Sequence, residues 1–445
     1  MTGTGSRKAR AKAALPRTEE RAPGSHTGQE AGLRTTRLEP PEFAPELWAC
    51  ISCNYCGAEC PTAREAGWES TTPRGKIRLF QLLRSQWDRK GRVEVPGRFV
   101  EAMYECTSCG RCTEVCHVDF DFLAHHERWR RWLASSGCGP LPDHRVLLSS
   151  LRDHRNPYLA PRKDRARWAE GLGLPERGEV LFFAGCSDSY VHPEVARRSV
   201  EVLRALGHEV AYLGADEPCC GSTAARLGAE GDFEDLVHEV ARRVEGSGAR
   251  LVVTACPGCS SALREYYPQA GVRLAARVLH ITELLDQDLR DGRLRPTRRL
   301  PGRYVYYDPC HLGRVDGVFE EPRRVLAACV EELVELPRGR EESLCCGSGG
   351  GYKTAFPASA GRIGGRVVGM ATDVGAGTLV TACPWCESNL GEAASACAVP
   401  PAGDGGSGRS LPVMDLVEVV AAALGLERAP GPSRVRPGRL SGGPS

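Results

Sequence analysis

Short apolar runs alternate with longer amphipathic segments from residue 179 to about residue 427. Each short run has the length of a buried β-strand, and the longer segments carry apolar residues at helical spacing. The predicted strands are Val180–Ala184, Val210–Leu213, Leu251–Thr254, Tyr304–Tyr307, Leu333–Leu336 and Thr378–Thr381. The predicted helices include Pro193–Leu206, Phe233–Val244 and the late segment Val413–Leu426. Strands and helices in alternation predict an α/β architecture.

The rest of the chain lacks this alternation. Residues 1 to about 40 are polar and basic and contain Gly and Pro, which predicts a disordered tail. Residues 136–178 hold one cysteine among Pro, Arg and Trp residues and predict a linker with short helices. We also expect a flexible loop at 401–411 and a second disordered tail at 428–445.

Charge and hydropathy narrow the class of protein. The chain has 445 residues and a formal net charge of +2, from 58 basic and 56 acidic side chains. This balance gives no reason to expect nucleic acid or an anionic membrane as the main partner. The sequence has no apolar run long enough to span a membrane, and its first residues lack the apolar stretch of a secretory signal. We therefore expect a cytoplasmic protein that reaches a membrane, if at all, through a partner protein.

The 21 cysteines are the unusual feature of the composition. In a reducing compartment, clustered cysteines bind metal or carry out redox chemistry more often than they form disulfides. Eight of them form two groups with the same spacing, C-x2-C-x2-C-x3-C: Cys50, Cys53, Cys56 and Cys60, then Cys106, Cys109, Cys112 and Cys116. Pro61 follows the first group, and His117 takes that place after the second.

This spacing is typical of proteins that bind two [4Fe-4S] cubane clusters. Three thiolates on a tight loop hold one cluster, and the fourth cysteine ligates the other cluster. The predicted ligand sets are Cys50, Cys53, Cys56 and Cys116 for one cluster, and Cys106, Cys109, Cys112 and Cys60 for the other. Zinc is the alternative, but zinc sites usually use two C-x2-C pairs rather than a triple repeat. His117 is either a donor that tunes the redox potential or a tolerated substitution.

A long insert separates the two cysteine groups. It runs from Thr62 to Glu105 and contains the apolar helical run Lys76–Arg84. Small bacterial ferredoxins have no room for such an insert. The segment resembles the helical ferredoxin domain of succinate dehydrogenase iron–sulfur subunits.

Ten further cysteines form two sets that repeat along the chain. The first cysteine set is Cys186, Cys219, Cys220, Cys256 and Cys259; the second cysteine set is Cys310, Cys345, Cys346, Cys383 and Cys386. Corresponding members lie 124 to 127 residues apart, each set follows an apolar strand, and each ends in Thr-Ala-Cys-Pro-x-Cys. This agreement predicts two copies of one α/β unit.

Five thiolates exceed what one tetrahedral zinc or one cubane needs. Adjacent cysteines do not easily ligate one cubane together, but they can grip a larger or more open cluster. Gly221 and Gly347 follow the adjacent pairs and permit backbone turns that other residues disfavour. Cysteines at strand ends lie on the rim of a parallel sheet, where α/β folds usually bind ligands.

The two sets resemble the CCG domain of the B-type and D-type polypeptides of heterodisulfide reductases. Cubane motifs followed by two such domains on one chain resemble the D-type polypeptide, as does the segment Asn156-Pro157-Tyr158 with Arg165 and Trp168. The resemblance covers residues 45 to 427. It implies that each complete set holds a non-cubane [4Fe-4S] cluster and that the two clusters together cleave a disulfide. A structural zinc in one of the sets is the alternative.

The resulting prediction is a multidomain α+β protein. A helical ferredoxin domain with two clusters occupies 41–135, a linker follows at 136–178, and the two α/β CCG units occupy 179–300 and 301–427. We expect an oxidoreductase subunit that passes electrons from the cubanes to the CCG clusters for disulfide or thiol chemistry. Its redox partner would be a membrane cytochrome b-type protein or a flavoprotein.

A different class of function fits the same layout. Glycolate oxidase, lactate-utilisation and anaerobic glycerol-3-phosphate dehydrogenase systems contain similar subunits that only carry electrons for a separate FAD protein. We find no dinucleotide-binding fingerprint, so any flavin would lie on a partner. A zinc or iron sensor is disfavoured because 18 of the 21 cysteines fall into motifs.

Other residues near the second cysteine set admit two interpretations. Asp308 and His311 flank Cys310, and His311 either donates a proton to a departing thiolate or has a capping or packing role. The run Gly347-Ser348-Gly349-Gly350-Gly351 lacks the Lys-Ser/Thr of a phosphate loop, so we expect it to give backbone clearance around a cluster.

Three cysteines fit no motif and are expected to be small packing or surface residues: Cys138, Cys329 and Cys397.

Overall fold

The computed structural model describes residues 32–42, 48–397 and 410–426. Most of the predicted N-terminal tail, most of the predicted loop at 401–411 and the whole predicted tail at 428–445 lie outside the described residues. Within the predicted N-terminal tail, Arg34–Thr36 forms strand β1, which pairs antiparallel with β2, Val93–Val95. The expectation of disorder is wrong for this segment, because a three-residue pairing with a later strand holds it.

The N-terminal part is helical apart from β1 and β2. Its helices are α1 (Tyr55–Glu59), α2 (Pro61–Ala66), α3 (Pro73–Lys90), α4 (Gly97–Tyr104), α5 (Arg111–Glu114), α6 (Phe122–Ser135) and α7 (Pro142–His154). Two 3-10 turns, Glu69–Thr71 and Arg162–Ala169, complete it. The predicted run Lys76–Arg84 lies in α3, which starts at Pro73, with the Thr72 side chain accepting a hydrogen bond from the Gly75 amide.

The first α/β unit follows. Its strands are β3 (Val180–Phe182), β4 (Val210–Ala211), β5 (Leu251–Thr254) and β6 (Arg277–His280). Its helices are α8 (Gly185–Tyr190), α9 (Pro193–Ala205), α10 (Ser222–Leu227), α11 (Glu230–Ser247), α12 (Pro257–Ser261), α13 (Tyr267–Gln269) and α14 (Ile281–Arg290). A π-helical turn, Ala262–Tyr266, follows α12, and Gly214–Asp216 is a 3-10 turn.

The second α/β unit repeats this order. Its strands are β7 (Leu300–Tyr306), β8 (Val330–Val334), β9 (Thr378–Thr381) and β10 (Val413–Asp415). Its helices are α15 (Glu320–Cys329), α16 (Tyr352–Ala355), α17 (Pro357–Asp373), α18 (Pro384–Ala396) and α19 (Leu416–Ala423). A π-helical turn at His311–Val315 and a 3-10 turn at Arg340–Glu342 lie between them.

Both units contain a four-stranded parallel sheet with the same strand order. The orders are β4-β3-β5-β6 and β8-β7-β9-β10, which in each unit is second, first, third, fourth. The duplication predicted from the cysteines is therefore present in the fold, and the predicted fold class is confirmed. In such sheets the crevice for ligands opens where the strand order reverses, at the carboxyl ends of the first and third strands.

The strand predictions were accurate in the centre of each sheet and weaker at the edges. β5 and β9 match the predicted ranges, whereas β6 and β10 were missed. The segment predicted as one helix at 413–426 is wrong in its first three residues, which form β10 before α19 begins. Asp415 explains the change: its side chain accepts a hydrogen bond from the Val417 amide and Glu418 closes the capping box, so the helix starts after Asp415.

Two hydrophobic cores hold the parts together. One core contains Trp129 and Leu133 of α6 together with Leu181, Val237 and Val252 of the first α/β unit, so the helical part and that unit share it. The other core joins the outer helices of the two units, with α9 packed on α19 and α14 packed on α15. The segment predicted as a linker contributes to this packing, since Arg165 and Trp168 are fully buried.

None of the helices in the described ranges is long and apolar enough to cross a membrane.

Candidate functional site

The first cysteine set converges at the carboxyl ends of β3 and β5. Cys186 follows β3 and Cys256 follows β5, and none of the five side chains is more than 7% exposed. Their thiols form one hydrogen-bonded chain in the order Cys186, Cys219, Cys220, Cys259, Cys256. The Sγ atoms of Cys220 and Cys259 are 3.3 Å apart. The fold therefore brings together all five cysteines that the repeat singled out.

The second cysteine set has the same arrangement. Cys310 follows β7 and Cys383 follows β9. The thiols form a chain in the order Cys310, Cys345, Cys346, Cys386, Cys383. All five are buried. Each set thus occupies the equivalent crevice of its own sheet.

Both sets open onto a single pocket between the two units. Its empty volume is about 910 Å³, the open mouth included. All five cysteines of the first set and four of the second line this pocket, with Pro157, His311 and Trp385 among the other lining residues. Tyr158, from the segment predicted as a linker, stacks on Trp385 at 5.9 Å between ring centroids. A ligand in this pocket would touch both cysteine sets at once.

Hydrogen bonds between thiols distribute the protons unequally within each set. The bond from Cys219 lowers the pKa of Cys220, and the bond from Cys345 lowers the pKa of Cys346. The second cysteine of each adjacent pair therefore loses its proton more easily than the first. Thiolates are the form that binds iron, so this donor set fits an iron–sulfur cluster. In the described ranges, no three His, Cys, Asp or Glu side chains have the spacing of a mononuclear metal site.

A buried ion pair supports the first set. Arg165 Nη2 lies 2.8 Å from Glu217 Oε1, and Arg165 Nη1 donates to Cys186 Sγ at 3.4 Å. Glu217 also accepts hydrogen bonds from the amides of Ala184 and Gly185, which lead into Cys186. The Glu217 carboxylate thus orients the Cys186 loop while Arg165 places positive charge beside the thiol. In the sequence, Arg165 is singled out only by a resemblance, and Glu217 has no signal beyond its position two residues before Cys219.

His311 and Asp308 have different surroundings. His311 Nδ1 is 3.3 Å from Cys310 Sγ, and its buried Nε2 has no hydrogen-bond partner and lies at the pocket. No side chain caps the turn that begins at His311, so the capping role is not seen there. Asp308 instead forms a buried ion pair with Arg323, with Nη1–Oδ1 at 2.6 Å. The proton-donor role of His311 stays a prediction.

The cysteines of the helical part lie around two cavities. Cys50, Cys53, Cys56 and Cys116 line one, and Cys60, Cys106, Cys109 and Cys112 line the other; Cys112 also reaches the first cavity. The grouping is the one expected from the spacing, and the ligand roles of these cysteines stay a prediction. Cys53 is exposed whereas Cys109 is buried, so the first cavity is the one nearer the surface. His117 packs edge-on against Tyr55 at 4.6 Å between ring centroids.

The second cavity adjoins the second cysteine set. The thiols of Cys109 and Cys345 hydrogen-bond to each other, and Cys310 joins them in a buried cluster. Arg314 Nε donates to the Cys109 carbonyl at 2.7 Å. Cys345 is the one member of its set that does not line the shared pocket. It lies instead on the side that faces the helical part.

The glycine run packs against the helical part and also lines the shared pocket. A Cβ on Gly349 would lie 2.5 Å from the Thr107 carbonyl oxygen, and one on Gly350 would lie 2.8 Å from that of Cys106. Gly347 has φ of 97°, a conformation that favours glycine. The missing side chains of Gly349 and Gly350 admit the backbone of the Cys106–Ser108 loop, and the expected clearance around a cluster stays a prediction.

Family models match the segments that carry these cysteines. A model described as a 4Fe-4S dicluster domain matches residues 46–120. A model described as a cysteine-rich domain, CCG, matches twice, at residues 180–264 and 304–391. The two matches of the second model correspond to the two α/β units. The helical part therefore contains a dicluster domain, and each unit contains a CCG domain.

Several proteins are similar over most of the chain. The D-type polypeptide of the dihydromethanophenazine:CoB–CoM heterodisulfide reductase of Methanosarcina barkeri is 32% identical, with 86% of this chain and 95% of that protein covered. The B-type polypeptide of the fumarate reductase (CoM/CoB) of Methanothermobacter marburgensis is 32% identical over 83% of this chain and 73% of that protein. The EtfAB:quinone oxidoreductase of Syntrophomonas wolfei is 29% identical over 75% of this chain and 47% of that protein.

Proposed function

Because this chain belongs to the family of D-type heterodisulfide reductase polypeptides, which are iron–sulfur oxidoreductase subunits, we propose that it reduces a disulfide, or oxidises the matching thiols, in the pocket between its two α/β units. The observation that carries the proposal is the shared pocket, which nine of the ten cysteines of the two sets line. One small molecule with a sulfur–sulfur bond can contact both sets there.

The proposed ligand sets follow the geometry. One cubane is held by Cys50, Cys53, Cys56 and Cys116, and the other by Cys106, Cys109, Cys112 and Cys60, as the linings of the two cavities support. Each cysteine set of the α/β units holds a further four-iron cluster of non-cubane type. Two complete sets of buried thiols favour iron in both units over zinc in one of them.

The chemistry requires two electrons and two protons to convert one disulfide into two thiols. Iron–sulfur clusters held by the two sets would supply electrons one at a time and iron positions able to accept a thiolate sulfur. The chain would position the substrate between the two sets, against walls of buried cysteines. His311 Nε2 is an unpartnered nitrogen beside the second set and is the candidate proton donor to a departing thiolate.

The contacts between the parts support one order of electron transfer. With clusters bound, electrons would enter beside the exposed Cys53 and pass towards the buried Cys109, whose contact with Cys345 leads to the second cysteine set. Trp48, Ile51 and Tyr55 are each more than half exposed around the entry cluster. We expect the redox partner, a cytochrome b-type protein or a flavoprotein, to dock on this exposed face.

An electron-carrier role is the second candidate. The similarity to the fumarate reductase polypeptide and the EtfAB:quinone oxidoreductase favours it, since those names place related chains in enzymes with other substrates. In that case a flavoprotein partner would act on the substrate, and the pocket of this chain would not turn over disulfides.

Steady-state oxidation of reduced methyl viologen by the anaerobic holoprotein separates the two roles. A panel of low-molecular-weight disulfides of different charge is offered as acceptor. The proposal predicts turnover that Cys220→Ser and Cys346→Ser abolish and that Cys397→Ser, at an exposed cysteine outside both sets, leaves unchanged. Reduction of all clusters without turnover on any disulfide would support the carrier role.

A further inference from the structure

An arginine lies at the junction of the helical part and the second α/β unit. Arg314 belongs to the π-helical turn His311–Val315 and is partly buried. Its Nε donates to the Cys109 carbonyl at 2.7 Å, and its Nη1 donates to the Ser343 carbonyl at 2.9 Å. The guanidinium therefore connects the loop of the second C-x2-C-x2-C-x3-C motif with a residue two positions before Cys345.

The charge of this guanidinium is not compensated by a carboxylate. The other hydrogen bonds of Nη1 go to the Glu341 carbonyl and to Ser343 Oγ, both at 3.1 Å. Nη2 is shielded from solvent and has no hydrogen-bond partner. Among the residues that the structure describes, no acidic side chain forms an ion pair with Arg314. A positive charge and a free donor nitrogen therefore remain at the junction.

The charge of Arg314 acts on three cysteine thiols. Cys109, Cys310 and Cys345 form one buried cluster, and Cys345 is hydrogen-bonded to both of the others. Burial opposes the charge of Arg314, but these three sulfurs and Tyr307 raise its pKa above the usual arginine value. The hydrogen bond from Cys345, and with it the charge of Arg314, lowers the pKa of Cys109 to about 6.

These three cysteines belong to two different proposed ligand sets. Cys109 is a proposed ligand of one cubane, whereas Cys310 and Cys345 belong to the second cysteine set. With clusters bound, Cys109 and Cys345 would both be thiolates, so their contact would bring two negative sulfurs together. Like charges repel strongly away from water, and a cation beside them offsets that repulsion. Arg314 is the cation in position to do so at both sites.

A second cation lies beside the same cubane site but away from this junction. Lys76 is only 1% exposed, and its Nζ donates to the carbonyls of Thr71 at 2.5 Å and Glu105 at 2.9 Å. Burial raises the pKa of Cys60, and the charge of Lys76 opposes that rise. Lys76 also lines the cavity that Cys60 lines. It is therefore a matched case of a charge that acts on one site.

We propose that Arg314 is a redox-tuning residue shared by the cubane site of Cys109 and the second cysteine set, and that its positive charge raises the reduction potential of both. The inference rests on the ligand sets of the proposed function. An added electron makes either site more negative, and a fixed cation beside both stabilises each reduced form. In the one-electron step between them, the Cys109 site is oxidised and the Cys345 site is reduced. Because the electron stays next to Arg314, this step does not separate it from its counter-charge.

Redox titration of the anaerobic holoprotein, followed by electron paramagnetic resonance, measures each potential without a disulfide present. The signals are assigned with Cys60→Ser for the cubane site and Cys346→Ser for the second cysteine set. Arg314→Gln should lower the equilibrium constant for reduction of both sites about tenfold, which is about 59 mV for one electron. Lys76→Gln should lower it by a similar factor at the cubane site alone.

Further variants separate the charge of Arg314 from its hydrogen bonds. Arg314→Lys keeps the charge but has fewer donors, so both equilibrium constants should stay within about twofold while the unfolding temperature falls. Arg314→Met is a second neutral variant in case Arg314→Gln binds too little iron. Arg340→Gln is the matched control, because the Arg340 side chain is 41% exposed and its 3-10 turn directly precedes Ser343. It should change neither constant by more than about twofold.

The shared role is refuted if the neutral variants leave both potentials unchanged or lower only one of them. Equal shifts in Arg314→Gln and Arg314→Lys would also refute it, because the shifts would then follow the lost hydrogen bonds. A paired shift in a protein that turns over no disulfide would support the role of Arg314 and refute the proposed disulfide chemistry. Disulfide turnover, with potentials that Arg314→Gln does not change, would have the opposite meaning.

Discussion

Arg130 Nη1 donates a hydrogen bond to the backbone carbonyl of Gly350 at 2.9 Å, which ties helix α6 to the glycine run of the second α/β unit. Arg130 is fully buried, and its five N–H groups are all satisfied by main-chain carbonyls. The acceptors are Met103, Tyr104, Cys106, Arg226 and Gly350. One side chain thus joins the Cys106–Ser108 loop, helix α10 and the rim of the pocket.

Replacing Arg130 by lysine should destabilise the junction of the three parts. An ammonium has three donors, so at least two of the five buried carbonyls lose their partner, at about 1–3 kcal/mol each. We expect Arg130→Lys to lower the free energy of unfolding by about 3 kcal/mol, seen as a drop in unfolding temperature. Arg131→Lys, at the more exposed neighbour, should change it by less than about 0.5 kcal/mol. Equal effects of the two variants would contradict the role of Arg130.

The two cysteine sets should lose their clusters independently. Cys220→Ser removes a ligand of the first set and Cys346→Ser one of the second, and the two sets use no common thiol. Each variant should therefore contain about four fewer irons per chain, with the electron paramagnetic resonance signals of both cubanes retained. Loss of a cubane signal in either variant would show that the division of the ligands is wrong.

The crossed ligand scheme of the helical part makes a pairwise prediction. Cys56→Ser and Cys116→Ser should impair the same cubane, and Cys60→Ser should impair the other, because Cys56 and Cys116 line one cavity and Cys60 the second. Redox titration with spectroscopic detection distinguishes the two clusters. The scheme fails if Cys56→Ser and Cys60→Ser remove the same signal.

Stability should decrease in mild acid because of buried neutral histidines. Burial lowers the pKa of His144 from 6.5 to about 4, and its Nε2 donates to the Gly351 carbonyl at 2.9 Å. The unfolded chain therefore binds more protons than the native chain between these values, so stability is lost as the pH falls from 6.5 towards 4. His144 contributes about 1.5 kcal/mol of this loss between pH 6.5 and 5.

The variant His144→Gln keeps a donor for Gly351 but does not titrate. Its unfolding temperature should fall less than that of the wild type between pH 6.5 and 5. The exposed His238 supplies the control, and His238→Gln should follow the wild type. Burial also lowers the pKa of His126 and His280, so part of the acid sensitivity remains in His144→Gln. Parallel curves for His144→Gln and the wild type would contradict this assignment.

Cysteine spacing predicted the duplication and the grouping of the cysteines in space, because cysteines of one motif lie at positions that the fold brings together. Other features have no such local signal. Arg130, Glu217 and Arg226 look like ordinary surface charges in the sequence, and only the tertiary fold buries them at the junctions. Short edge strands such as β1 and β10 were missed because two or three residues carry too little periodicity, and pairing partners distant in sequence determine them.

Iron and zinc per chain, measured on protein purified without oxygen, test the central claim most directly. Four four-iron clusters give about sixteen irons and no zinc, which is the result expected if both cysteine sets hold clusters at the shared pocket. About eight irons, with zinc present, would contradict the account and leave an electron carrier whose α/β units bind no iron–sulfur cluster.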